Sequence, residues 1–106
     1  MIWKIEYTKE ALNDLKALDN TQQIQVIKAI KKVSENPLPK TEGGYGKPLG
    51  NRISSKLAGY MKIKLVRLGI RIVYAIIRKD YVMRIIIISV RDEESVYKIA
   101  DKRVND

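Results

Sequence analysis

Lys62-Ile63-Lys64-Leu65-Val66-Arg67-Leu68-Gly69-Ile70-Arg71-Ile72-Val73-Tyr74 decides how this chain folds. Cationic and apolar residues alternate on both sides of Gly69, the pattern of two strands around a short turn. Successive side chains of a strand point to opposite faces. Lys62 and Lys64 therefore share one face, and Ile63 and Leu65 share the other. An even-numbered connection pairs Val66 with Arg71 and Lys64 with Val73, which brings Arg71 onto the face of the lysines. An odd one turns it away, and the sequence admits both. Three cations on one sheet face are rarely a core solution, because unpaired buried charge is too unfavourable.

The charge of the whole chain, +9, points to the same stretch. Residues 1–42 carry 7 basic and 6 acidic side chains, and residues 92–106 carry 3 and 5. Residues 43–91 carry 11 basic side chains with Asp80 as their one acid. A segment this lopsided favours a polyanion, above all a phosphate backbone, over a merely solvated basic surface.

Downstream of the hairpin, Arg78-Lys79-Asp80 marks a turn and Tyr81 opens a strand to Val90. Its run Ile85–Ile88 suits a central position buried on both faces. Asp92, Glu93 and Glu94 suit a helix N-terminus, and a C-terminal helix to about Arg103 follows, with Val96, Ile99 and Ala100 inward. Upstream, Asn51 to Ala58 is weakly patterned and reads as a short or irregular strand. Residues 37–51 hold Pro37, Pro39, Pro48 and four of the six glycines. They read as a loop, either lining a cleft or simply connecting. Gly44–Gly50 is no phosphate loop, because Pro48 follows Lys47 where a Walker motif needs Ser or Thr opening a helix.

The chain opens with a period-2 strand whose Trp3, Ile5 and Tyr7 face inward. Thr8 caps a helix with Ala11, Leu12, Leu15 and Leu18 on its apolar stripe. A second helix runs from about Thr21 to about Glu35, with Ile24, Ile27, Ile30 and Val33 on its stripe. Asn36-Pro37 stops it. The order is strand, two helices, three or four strands, helix. That predicts one α+β domain over residues 1–106, with a small antiparallel sheet of about four strands. An αα-hairpin packs on one face, and a C-terminal helix completes it.

There is no Cys and no His. Disulfides, thiol nucleophiles, thiolate zinc sites and the commonest general base are excluded, and only a carboxylate Mg²⁺ site stays open. Lys4 and Glu6 interrupt any signal-peptide pattern, and the Ile85–Val90 run is too short to cross a bilayer, so a soluble cytoplasmic protein is expected. RNA can be cut without metal or histidine when its own 2′-OH attacks the adjacent phosphate. Protein cations stabilise the added negative charge. A Lys serves as base only if its pKa falls from about 10.4 towards 7. Two ammonium groups ~7 Å apart repel by about 2.4 kcal/mol at an effective dielectric of ~20, which acts in that direction. The residues alone leave catalysis and plain phosphate binding equally open.

Several motifs resemble the RelE/ParE superfamily of toxins from toxin–antitoxin pairs, and its RelE branch most. They are Trp3–Tyr7 before Ala11-Leu12, Asn36-Pro37, Gly46–Leu49, Lys62–Leu65, Gly69–Tyr74, and Val90-Arg91 before Val96-Tyr97. The resemblance spans essentially the whole chain. It implies a ribosome-dependent endonuclease that cuts mRNA in the A site by metal-independent 2′-OH attack, with no cofactor. By motif the working residues are Lys62, Lys64, Arg71, Arg91 and Tyr97. A Lys accepts the proton while its partner stabilises charge, Arg71 holds the phosphate, Arg91 serves the leaving group, and Tyr97 orients or stacks on a base. Lys47, Arg52, Lys56 and Arg67, from the same basic segment, are the expected additional RNA contacts. Relatives often place Gly before the second arginine, and some use a His–Glu acid–base pair. Here Val90 precedes Arg91, and the lack of His excludes the His-dependent route. The implied partners are a cognate antitoxin, the ribosome and mRNA. The alternatives are a ParE-like gyrase poison and a non-catalytic RNA- or ribosome-binding module.

Overall fold

The computed structural model describes residues 2–50 and 55–104. Five strands form one sheet: β1 Lys4–Tyr7, β2 Lys47–Pro48, β3 Met61–Leu65, β4 Ile70–Ile77 and β5 Val82–Ser89, in the order β1-β5-β4-β3-β2. The helices are α1 Lys9–Lys16, α2 Asn20–Val33 and α3 Glu93–Val104. The α+β class, the αα-hairpin and the C-terminal helix are as expected. The sheet has five strands instead of about four and is mixed, because β1 runs parallel to β5 while the other neighbours are antiparallel. Pairing β1 with a strand some 80 positions later leaves no local signature. The two-residue β2 hides in the Pro/Gly-rich segment, where Pro48 is tolerated because the strand is at the edge.

Local chemistry sets the helix ends. Thr8 Oγ1 accepts from Ala11 N at 3.1 Å, so Thr8 caps α1. Asp19 caps α2 in a capping box with Gln22. The apolar stripes are narrower than the sequence suggests. Ala11, Leu15, Val26 and Ile30 are buried, whereas Leu12 and Ile24 face solvent. Ser55–Leu57 forms a 3-10 turn, not part of a strand, and positions 51–54 lie outside the described residues. Tyr81 belongs to the β4–β5 turn with φ of 55°, its ring edge-on to Trp3, and does not open the strand.

The two faces of the sheet are dressed differently. Against α1 and α2 pack Met61, Ile63, Ile70, Ile72, Tyr74, Met83, Ile85 and Ile88. Each fully buried side chain of this size contributes about 1.5–3 kcal/mol. On the other face Val73, Ile86 and Ile87 meet Val96 and Ala100 of α3, with Leu49 and Leu57 beside them. Membership alternates along β4 but not along β5. The partner of Val73 is Ile87 and that of Tyr74 is Ile85, so Ile86 is an inserted residue, a β-bulge. Arg103 of α3 clasps this layer to α1. It donates to Asp14 Oδ2 at 2.6 Å and to the Ile86 carbonyl at 2.9 Å, and Asp14 also accepts from Ile88 N.

The loop before β2 is held by close contact. A Cβ on Gly46 would stand 2.6 Å from the Pro37 carbonyl oxygen and 2.8 Å from the Tyr74 hydroxyl. That hydroxyl donates to the same Pro37 oxygen at 2.8 Å. Tyr74 is fully buried, Tyr7 packs part-buried against the same core, and burial raises the pKa of both phenols. Among the described residues no helix is long and apolar enough to cross a membrane.

Candidate active site

Register places the cations. Lys62 pairs with Val73 and Lys64 pairs directly with Arg71. Leu65 and Ile70 close the ladder around a four-residue connection, an even number, so Arg71 does share the face of the lysines. The register is shifted by two residues from the one the sequence suggests, which puts Arg71 opposite Lys64 in place of Val66. Lys47 of β2 pairs with Lys62 and joins the same face. The face therefore carries two rows, Lys47–Lys62–Val73–Ile87 and Lys64–Arg71–Ser89. Lys47 and Lys64 are exposed, and Lys62 and Arg71 are half-buried.

The start of α3 closes one side of these rows. Asp92 precedes the helix and accepts from Ser95 N at 2.9 Å and Ser95 Oγ at 3.1 Å. These bonds, with the nearby Arg71 charge, lower its pKa. Arg71 Nη1 donates to the Arg91 carbonyl oxygen at 3.0 Å, tying β4 to the turn that carries Arg91. Arg71 Nε is buried and meets no acceptor among the described residues. Arg91 itself is exposed, and its backbone N–H donates to Ser89 Oγ.

A residue absent from the expected set occupies the middle of the site. Glu93 Oε1 accepts from Lys62 Nζ at 2.9 Å and from the Tyr97 hydroxyl at 2.6 Å. The Tyr97 and Lys62 hydrogen bonds, with the field of Lys62 and Lys64, hold the Glu93 carboxyl down to about 2. Lys62 moves the other way. Its pKa is raised, chiefly by the Glu93 hydrogen bond, which outweighs desolvation. Lys62 is therefore not the lysine that mutual repulsion brings towards neutrality, because a carboxylate intervenes there. The Tyr97 hydroxyl is raised by burial and by its bond to Glu93. Its ring packs part-buried against the α3-side core. In sequence, Glu93 and Tyr97 stand at i and i+4, and that spacing was the one available sign that they meet.

The remaining expected contacts scatter. Lys56 is exposed in the 3-10 turn beside α3. Arg67 is exposed in the β3–β4 connection, at a groove lined also by Thr21, Gln25 and Lys64. Arg52 lies outside the described residues. Arg78 and Arg84, counted in the basic segment, are paired with Glu42 and Glu6. Lys47, Lys62, Lys64 and Arg71 are the cations of this segment that gather on β2, β3 and the first part of β4. Among the described residues no group of three or more His, Cys, Asp or Glu could hold a metal ion.

Comparison with known proteins agrees with this architecture. Residues 5–97 match the profile of the ParE toxin of the type II toxin–antitoxin system parDE. A putative RelE-like toxin protein of Escherichia coli is 29% identical over 108 residues, covering 98% of this chain and 99% of its own. Among solved structures, a double-arginine mutant of E. coli RelE in the free state superposes with a TM-score of 0.74 at 25% identity, covering 97% of this chain and 98% of the other. The same mutant bound to a peptide of the antitoxin RelB gives 0.68 at 25%, covering 94% and 95%. The RelBE2 complex of Mycobacterium tuberculosis shares the fold, with a TM-score of 0.67 at 24% identity over 86% of this chain and 100% of that one. The chain thus belongs to the ParE toxin family of type II toxin–antitoxin systems, and it is built as a RelE-like toxin.

Proposed function

We propose that this toxin is a ribosome-dependent endoribonuclease that cuts mRNA in the A site without metal, arresting translation. The observation that carries the reading is the shared face of Lys47, Lys62, Lys64 and Arg71, with Tyr97 brought to Lys62 by α3. On this reading the 2′-oxygen attacks phosphorus and the bond to the 5′-oxygen breaks. The products are a 2′,3′-cyclic phosphate and a 5′-hydroxyl. Lys62, held cationic by Glu93, suits stabilisation of the extra phosphate charge and not proton acceptance. The acceptor role then falls to Lys64, exposed on the same face. Arg71 acts partly by holding the turn that presents Arg91, and Arg91 stabilises the leaving oxygen, which takes its proton from water, since a guanidinium is a poor acid. The partners are the ribosome, mRNA and, as in the RelE complex with a RelB peptide, an antitoxin.

A second reading has its own support, because the matching profile is named for ParE. A ParE-like toxin would poison DNA gyrase and needs no cationic cleavage site, so the cation rows favour the nuclease. Primer extension on translated mRNA decides the matter. Wild type is expected to cut ribosome-bound but not free mRNA. The Lys62→Ala/Lys64→Ala pair and Arg91→Ala are each expected to slow cutting by on the order of 100-fold or more. Intact mRNA with stalled replication would establish the gyrase reading. Growth arrest with both intact would leave a non-catalytic ribosome-binding module.

A further inference from the structure

We infer that the space between Lys62 Nζ and the Tyr97 hydroxyl is an anion seat, that Glu93 fills it in the free toxin, and that an RNA phosphate enters by displacing that carboxylate. The inference deepens the proposed function and rests on it only for the identity of the RNA.

The geometry is that of an anion held by two donors. One oxygen of Glu93 takes both hydrogen bonds, from β3 and from the next turn of α3. Two further cations border the seat on the same face, Lys47 opposite Lys62 and Lys64 two residues along the strand. A phosphate offers more oxygens than the one Glu93 uses, so it can keep both bonds and reach Lys64 as well. Charge-assisted bonds of this kind are the strong ones. The incumbent can leave. Its side chain is 41% exposed, and α3 is anchored by Val96, Ala100 and Arg103 rather than by Glu93. Swinging the carboxylate into solvent breaks no core contact. Two anions cannot share the seat, because their repulsion at hydrogen-bond range is large in a partly desolvated site. Glu93 therefore acts as a stand-in that keeps Lys62 and Tyr97 in place, and as a competitor that makes weak anions poor ligands.

Isothermal titration with uridine 3′-monophosphate at low salt tests this. The probe has a phosphate but no 5′-linked leaving group, so binding is read apart from cleavage. Glu93→Gln is expected to bind about tenfold more tightly than wild type. Glu94→Gln makes the same change of charge one residue away, on an exposed side chain paired with Lys98. It is expected to change affinity less than twofold. Lys62→Ala in the Glu93→Gln background should abolish the gain. Carboxyl ¹³C resonances of uniformly labelled wild type provide a readout that needs no variant. The Glu93 signal should move on titration as its hydrogen bonds are lost. Equal or weaker binding by Glu93→Gln, an equal gain in Glu94→Gln, an unmoved Glu93 signal, or no binding by any form would each overturn the inference. If mRNA cleavage fails while Glu93→Gln binds more tightly, the nuclease reading falls and the anion seat stands.

Discussion

The β3–β4 hairpin presents two faces made from alternate residues of the same strands. Met61, Ile63, Ile70 and Ile72 go to the helices, and Lys62, Lys64 and Arg71 go to the open side. The first face is defined by exclusion of water, and its neighbours are whatever apolar side chains fill the volume. The second is defined by charge, and its neighbours are specific: the Glu93 carboxylate accepts from Lys62 and from the Tyr97 hydroxyl, and the Arg91 carbonyl accepts from Arg71. A change on the first face should be felt in stability. A change on the second should be felt in ligand binding.

The largest effect should come from the apolar face. Ile72→Ala removes a fully buried side chain and is expected to lower unfolding free energy by about 2–5 kcal/mol in urea titration. A loss below 1 kcal/mol would mean that this face is not the core. Arg103→Ala strips a partner from Asp14 and from the Ile86 carbonyl, both part-buried, and should cost about 1–3 kcal/mol by the same measurement. Lys64→Ala, on the cationic face, should change stability by no more than about 0.5 kcal/mol. A large destabilisation there would break the division between the faces. A further small effect concerns acid. The folded pKa of Glu93, about 2, lies below its ordinary value of 4.5. The stability it contributes is therefore complete above about pH 4.5 and is lost as pH falls towards 2. Because the group is partly exposed, solvent screening keeps that contribution under about 1 kcal/mol. Comparing acid unfolding of wild type and Glu93→Gln should show a shallower acid limb in the variant.

Local rules carried much of this molecule. The Thr8 cap, the stop at Asn36-Pro37, and the one-faced lysines of β3 follow from residues within a turn or a pleat of each other. Sites assembled across the chain were not legible. Lys62 and Glu93 are 31 residues apart, and no periodicity says that the first turn of α3 returns to β3. A carboxylate in an acidic helix N-terminus reads as dipole stabilisation, which concealed its second role. The β1–β5 pairing and the two-residue β2 escaped for the same reason, because their partners are distant and their lengths give no pattern.

Ile86 has a consequence beyond its own packing. A strand is a two-beat rhythm, and one inserted residue shifts it by half a period. Before the insertion, Met83 and Ile85 face α1 and α2; after it, Ile88 does, and Ser89 falls beside Arg71. Were Ile86 to take an ordinary place in the ladder, with no bulge, Ile88 would align with Arg71, and Ser89 would pass to the helical side. The strand would then leave the sheet out of phase, and the turn that delivers Arg91, Glu93 and Tyr97 would set out towards the wrong layer. The bulge that absorbs Ile86 thus acts as the timing element that puts the end of the chain on the same side as the lysines.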